Sequence, residues 1–333
     1  MAKSKNINEL FASFEKINVL IIGDVMLDNY LWGKVERISP EAPVPIVSVQ
    51  KKEARLGGAA NVAINVQAMG ANPILCAVIG GDSNGRTFLD LLQQMNMSSD
   101  GLLQCNDRPT TVKTRVIGNN YQMLRVDEER EEDITSSERK QMVNRITSII
   151  NKKKIHVIIF EDYDKGLISK SLIEQVIKIA RQKNILIAVD PKKRNFNHYR
   201  HVDLFKPNLK ELREGMKLDL DKNNTKEIVA AVKKLSLEHD IREMLVTLSD
   251  RGVLRVNAKS EEIIPAHFRN ITDVSGAGDT VISVAALCMA AGADSHTMAS
   301  IANLAGGLVC EKIGVVPVVK EELLEEVKRL KIK

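Results

Sequence analysis

The run Ile155-His-Val-Ile-Ile-Phe160, with Ser169–Gln182, Ile185-Leu-Ile-Ala-Val189 and Val202-Asp-Leu-Phe205 after it, decides the fold. The short apolar runs have strand length, and Ser169–Gln182 has helical periodicity. Strand, helix, strand is the βαβ unit of a parallel sheet. Outward from it, Asn18–Gly23 reads as a buried strand, Gly58–Met69 as a helix, Pro73–Ile79 as a strand and Asn84–Met95 as a helix. The alternation predicts an α/β three-layer sandwich, helices on both faces of a mostly parallel sheet. Two segments break the rhythm: Tyr30–Arg37 with Val44–Val49, and Thr111–Ile117 with Gln122–Val126. With no helix between their halves, they predict a small antiparallel sheet outside the main layer. Further on, Glu243–Leu248 and Gly252–Val256 read as a hairpin, and Ala277–Gly292 and Ser295–Glu311 as packed helices.

The chain has 333 residues, 44% of them hydrophobic, enough for one large core, alone or with a small accessory domain. Its 48 Lys+Arg and 43 Asp+Glu are interspersed and only 4% of residues are aromatic, which argues against a nucleic-acid surface and for a small anionic ligand. No run approaches the length of a membrane span, and Met1–Glu9 lacks a signal-peptide core, so a cytoplasmic protein is expected. Cys76, Cys105, Cys288 and Cys310 lack C-x-x-C spacing and a nearby His cluster, which predicts reduced, buried thiols and no cysteine metal site.

The strongest local signal is Asp273-Val-Ser-Gly-Ala-Gly-Asp-Thr280, which opens an apolar helix near Ala277. Gly276 and Gly278 let backbone N–H groups approach an anion, and the helix N-terminus adds partial positive charge there. Asp279 has two readings: an acid that favours the helix dipole, or a base beside an anion hole. Capping requires neither glycine, whereas phosphoryl transfer needs both an anion cradle and a proton acceptor. Walker A and G-x-G-x-x-G patterns are absent from the sequence.

This stretch resembles the C-terminal D-T-x-G-A-G-D motif of the ribokinase and phosphofructokinase-B family, with Val274 in the usual Thr position. Leu56-Gly-Gly-Ala-Ala-Asn61 resembles the family's N-terminal glycine pair, and Pro207-Asn-Leu-Lys-Glu211 its N-x-x-E element. The resemblance covers nearly the whole chain. It implies one ribokinase-like carbohydrate kinase domain over 1–333, with lid segments at about 30–49 and 111–126, using ATP and Mg²⁺. Within the family, Gly23-Asp-Val-Met-Leu-Asp-Asn-Tyr30, Ser39-Pro-Glu-Ala-Pro-Val-Pro45, Asp162-Tyr-Asp-Lys-Gly166 and Asp190-Pro-Lys192 resemble the branch acting on D-glycero-D-manno-heptose 7-phosphate in lipopolysaccharide-core assembly. That branch is often fused to a nucleotidyltransferase. Only Lys312–Lys333 follows the last family-like helix, so a stand-alone kinase is expected.

The resemblance assigns catalysis to Asp279, with Gly276, Ala277 and Gly278 as the anion hole. Asp24 and Asp28 follow a strand, at the carboxyl edge where open α/β sheets bind ligands. Both can accept from sugar hydroxyls or simply end a turn; Asp28 matches the family's sugar-binding Asp. Gly57, Gly58 and Asn61 are further sugar contacts. Where ribokinase has a Lys after the glycine pair this chain has Ala59, which argues against plain ribose. A substrate phosphate then needs cations elsewhere, and Lys113, Arg115, Arg125 and Lys165 are the candidates, Lys165 first, since it follows a strand beside Asp162. Each can equally be a solvated surface charge. Asn208, Leu209, Lys210 and Glu211 are expected at the nucleotide, with Asn208 and Glu211 organising water around Mg²⁺ or merely capping a helix. Asp190 and Lys192 support the same centre, Thr247, Ser249 and Gly252 line the nucleotide, and Asn303 lies near the adenine or packs a helix. An unpaired edge of the projecting sheet and an apolar face including Leu31, Trp32 and Val47 predict a homodimer.

Overall fold

The structure is a computed structural model that describes residues 6–267 and 269–332; the first residues of the Met1–Glu9 stretch lie outside that range. The central sheet runs, edge to edge, β13 (Glu261–Ile264), β12 (Val253–Asn257), β11 (Glu243–Thr247), β10 (Leu204–Phe205), β9 (Leu186–Asp190), β8 (Val157–Glu161), β1 (Asn18–Gly23), β4 (Asn72–Gly80) and β5 (Leu102–Cys105). From β11 to β5 all pairings are parallel; β12 runs antiparallel to both its neighbours.

The unbroken apolar run of β1 follows from burial on both faces. Val19 and Ile21 point into one core, with α1 (Ile7–Ser13), α2 (Ala59–Ala68), α8 (Ala277–Ala290), α9 (Ser295–Val309) and α10 (Lys320–Arg329). Leu20 and Ile22 point into the other, with α4 (Ser136–Lys152), α5 (Lys170–Gln182) and α7 (Thr225–His239). Helix α8 is buried from Asp279 to Cys288 without a polar stripe, as befits a helix packed on all sides. No helix among the described residues is long and apolar enough to cross a membrane.

A second sheet has the order β3 (Pro45–Gly58), β2 (Val25–Ile38), β6 (Val112–Gly118), β7 (Tyr121–Glu128). It forms where expected but is mixed rather than antiparallel: each hairpin is antiparallel, while β2 and β6 pair in parallel. Both strands follow carboxyl ends of parallel strands in the main sheet, so they leave it in the same direction. Leu31, Trp32 and Val47 are half-buried. The exposed aliphatics of this sheet are instead Ile38, Val44, Val49, Leu124 and Val126.

Candidate active site

Parallel register brings three strand ends level, Gly23 opposite Glu161 and Glu161 opposite Asp190. Helix α8 points its N-terminus at this edge. Gly276 caps it with φ 78°, a left-handed conformation that suits glycine, and a side chain there would press on Asn61 Nδ2 and Val315. The amides of Gly278 and Asp279 lie in the first turn, where no carbonyl one turn back is available; Ala277 N–H donates to Val274 C=O at 3.3 Å.

Asp279 is buried, and both carboxylate oxygens are held. Asn61 Nδ2 donates to Oδ2 at 2.6 Å and the Tyr163 hydroxyl to Oδ1 at 2.9 Å. Burial raises this carboxyl to about 6; the Asn61 and Tyr163 hydrogen bonds oppose the rise and the Asp190 charge adds to it. Asn61 is steadied by Asn65, whose Nδ2 donates to Asn61 C=O and whose Oδ1 accepts from the Thr280 hydroxyl and from Val318 N–H.

On the small-sheet side, Asp28 is buried and bonded to Arg115 Nη1 at 2.5 Å. Gly57 lies against it, and any side chain at 57 would collide with the Asp28 carboxylate. Both Asp24 carboxylate oxygens accept backbone amides, Oδ2 those of Tyr163 and Lys165 and Oδ1 that of Leu167, so it organises the 163–167 loop, the turn reading of its two. Asp162 is likewise internal, accepting from Asp164 N–H, Asn195 and the Tyr199 hydroxyl, and burial lifts its carboxyl to about 7. The four cations expected at a substrate phosphate are all paired with acids. Lys165 meets Glu129 and Glu131, Lys113 meets Asp127 and Glu129, Arg125 meets Asp127, and Arg115 meets Asp28.

On the far side of Gly278 lies a cleft of about 910 Å³ whose walls include Asn208, Leu209, Lys210, Thr247, Ser249, Gly252, Ala277, Gly278 and Asn303. The residues expected around a nucleotide thus share one cavity, except Glu211, Asp190 and Lys192, which stand toward the strand ends. Val274, Val281 and Gly307 give it an apolar floor, and Lys222, Arg251 and His267 are wall residues the sequence reading passed over. Asn303 donates to the Pro265 carbonyl at 2.9 Å. Asn208 and Glu211 form the helix cap that was one of their two readings: Asn208 Oδ1 accepts Glu211 N–H, Glu211 Oε2 accepts Asn208 N–H, and Lys192 pairs with Glu211 Oε1.

Carboxylate oxygens of Glu161, Asp190 and Asp279 lie within 4.8 Å of one another, all buried. Burial raises the Glu161 carboxyl well above its ordinary range and the nearby Asp190 raises it further; burial also raises Asp190, which Lys206 opposes at 2.8 Å. Glu161 Oε2 and Asp190 Oδ1 are buried without a hydrogen-bond partner. Four carboxylates here, Glu161, Asp190, Glu211 and Asp279, face two ammonium groups, Lys192 and Lys206. An excess of buried negative charge with orphaned oxygens fits a divalent cation. Glu161, Tyr163 and Lys206 went unread; Glu161 carried the same signal as Asp24 and Asp190, an acid directly after an apolar run.

The model of pfkB family carbohydrate kinases matches residues 16–321. The chain belongs to the pfkB family. This pfkB kinase is 36% identical over 321 residues to the bifunctional protein HldE of Geobacter sulfurreducens, an alignment covering 96% of the chain and 65% of the relative. With HldE of Helicobacter pylori it shares 38% over 296 residues, covering 89% and 63%. The chain thus spans about 65% of the length of the first of these relatives. In fold, the pfkB kinase matches ribokinase from Thermotoga maritima (TM-score 0.70, 17% identity, 94% of this chain and 99% of that one). Phosphofructokinase-2 from Escherichia coli in complex with potassium matches with TM-score 0.77 at 17% identity, covering 95% and 99%. Family membership makes this an ATP-dependent carbohydrate kinase.

Proposed function

We propose that this kinase transfers the γ-phosphoryl group of ATP to the anomeric hydroxyl of D-glycero-D-manno-heptose 7-phosphate, giving the 1,7-bisphosphate for lipopolysaccharide-core assembly. The observation that carries the reading is Asp279, a gripped, buried carboxylate in the first turn of α8, next to Gly278 on the wall of the cleft and held by Asn61 and Tyr163. The heptose branch is supported by the Asp162–Gly166 and Asp190–Lys192 stretches and by relatives named HldE.

In this reading ATP lies along the cleft with its γ-phosphorus at Gly278, and the sugar sits between Asp28, Gly57, Gly58 and Asn61. Asp279 takes the anomeric O–H proton as that oxygen bonds to phosphorus; the bond from phosphorus to the β-bridging oxygen breaks and ADP leaves. First-turn amides of α8 stabilise charge on the transferred group, so catalysis is mainly electrostatic positioning. Glu161 and Asp190 would hold Mg²⁺, which offsets phosphate charge, with Asn208 and Glu211 acting on it through water. The second sheet closes over the sugar as a lid and limits ATP hydrolysis. The 7-phosphate is bound by one of the four candidate cations freed from its acid partner, Lys165 first, from the loop after β8, or else Lys113, Arg115 or Arg125 on the second sheet.

Asp279→Asn keeps the shape and removes the base. Turnover of heptose 7-phosphate should fall by more than tenfold, about 1.4 kcal/mol of barrier. Activity retained within tenfold would defeat the assignment, and a panel including fructose phosphates and nucleosides tests the acceptor.

A further inference from the structure

The Asp162–Gly166 stretch holds a side chain that the proposed mechanism leaves unused. Tyr163 donates its hydroxyl to Asp279 Oδ1 at 2.9 Å, on the carboxylate's opposite oxygen from Asn61. A carboxylate held by one donor can still turn about its last bond; one held at both oxygens has a fixed plane. Each oxygen accepts about two hydrogen bonds, so a lone pair on each remains for an incoming hydroxyl. Asp190 places like charge within 4.8 Å of Asp279, which gives an ungripped carboxylate reason to swing away. Asn61 reaches it from α2 and Tyr163 from the loop after β8, so the two donors are anchored independently.

Tyr163 is itself fixed at both ends. Its backbone amide donates to the buried Asp24 at 3.0 Å, and Lys192, paired with Glu211, lies 5.3 Å from its ring centroid. Such a cation over a phenol ring is attractive and sensitive to placement. The ring therefore connects Asp279 to the ammonium group that pairs with Glu211, expected from the sequence to support the nucleotide.

We infer that Tyr163 is a positioning residue for phosphoryl transfer, aiming Asp279 at the acceptor hydroxyl through its phenol and seating Lys192 with its ring. The inference rests on the reading of Asp279 as the base. Two variants separate the two contacts. Tyr163→Phe deletes one oxygen and keeps the ring, so kcat should fall at least fivefold while KM for ATP and for the sugar stays within twofold. Tyr163→Leu also removes the seat of Lys192, and KM for ATP should rise in addition. A purely structural role would not divide kcat from KM in this way. A Tyr163→Phe enzyme whose kcat falls less than fivefold, or whose loss appears as a raised KM, overturns the inference. Asp279→Asn assayed alongside tells the failures apart. An active Asp279→Asn enzyme removes the base and the role of Tyr163 together. An inactive one beside an unimpaired Tyr163→Phe removes only the positioning role.

Discussion

Burial and the hydrogen bonds from Asn61 and Tyr163 pull the Asp279 carboxyl in opposite directions, and burial wins, leaving it at about 6. A base must be unprotonated, so kcat/KM for the sugar should fall on acidification below about pH 6, approaching tenfold per pH unit. Asn61→Leu removes a hydrogen bond that favours the charged form, and its acid limb should move to higher pH. Steady-state profiles of both enzymes check the sign. Asp279 was legible because two glycines beside it had no capping explanation. Glu161 carried the same signal as Asp190, an acid after an apolar run, but went unread, and Lys206 looks like an ordinary residue until neighbouring strands bring it beside Asp190. Asp24 shows how little that signal decides: an acid after a strand reads alike whether it faces a ligand or, as its hydrogen bonds show, three backbone amides.

The β2–β3 hairpin carries Asp28 out and Gly57 back, Asp28 opposite Arg55 and Gly57 opposite Met26, so that the two approach diagonally, and this closeness depends on glycine. Gly57→Ala would push Asp28 off its site. KM for the sugar should rise about tenfold or more, with KM for ATP within twofold, because the nucleotide cleft is built from other elements. Separate kinetic titrations of the two substrates test this. Strand β1 was legible to the residue, since a fully buried parallel strand must be apolar throughout. The hairpin strands were read several residues short, because Asp24 and Asp28 interrupt the apolar pattern at the place where the chain crosses from one sheet to the other. The pairing of β2 with β6 was illegible: it depends on where two distant hairpins leave the main layer.

At the scale of the molecule, β7, an edge strand of the second sheet, is exposed along its whole length and presents Leu124 and Val126 to solvent, while Val49 is exposed on β3 at the opposite edge. An open strand edge beside exposed aliphatics is what a second copy covers in a homodimer. Light scattering at micromolar concentration should give the dimer mass, and Leu124→Asp should shift it toward the monomer; a monomeric wild-type protein would count against the proposal. The sequence reading reached a dimer through an unpaired sheet edge and an apolar face including Leu31, Trp32 and Val47. Those three side chains are half-buried, and propensity alone could not show that β7 is the exposed edge.

The in-register strand ends and the two hairpins also divide the labour of the site. Glu161, Asp190 and the first turn of α8 are locked into the buried sheet, where a one-residue slip would exchange a carboxylate for an apolar side chain. Asp28, Lys113, Arg115 and Arg125 stand on the β2–β3 and β6–β7 ribbons of the separate second sheet. On the proposed reading, exchanging those hairpins should therefore alter acceptor preference while leaving the handling of ATP in place.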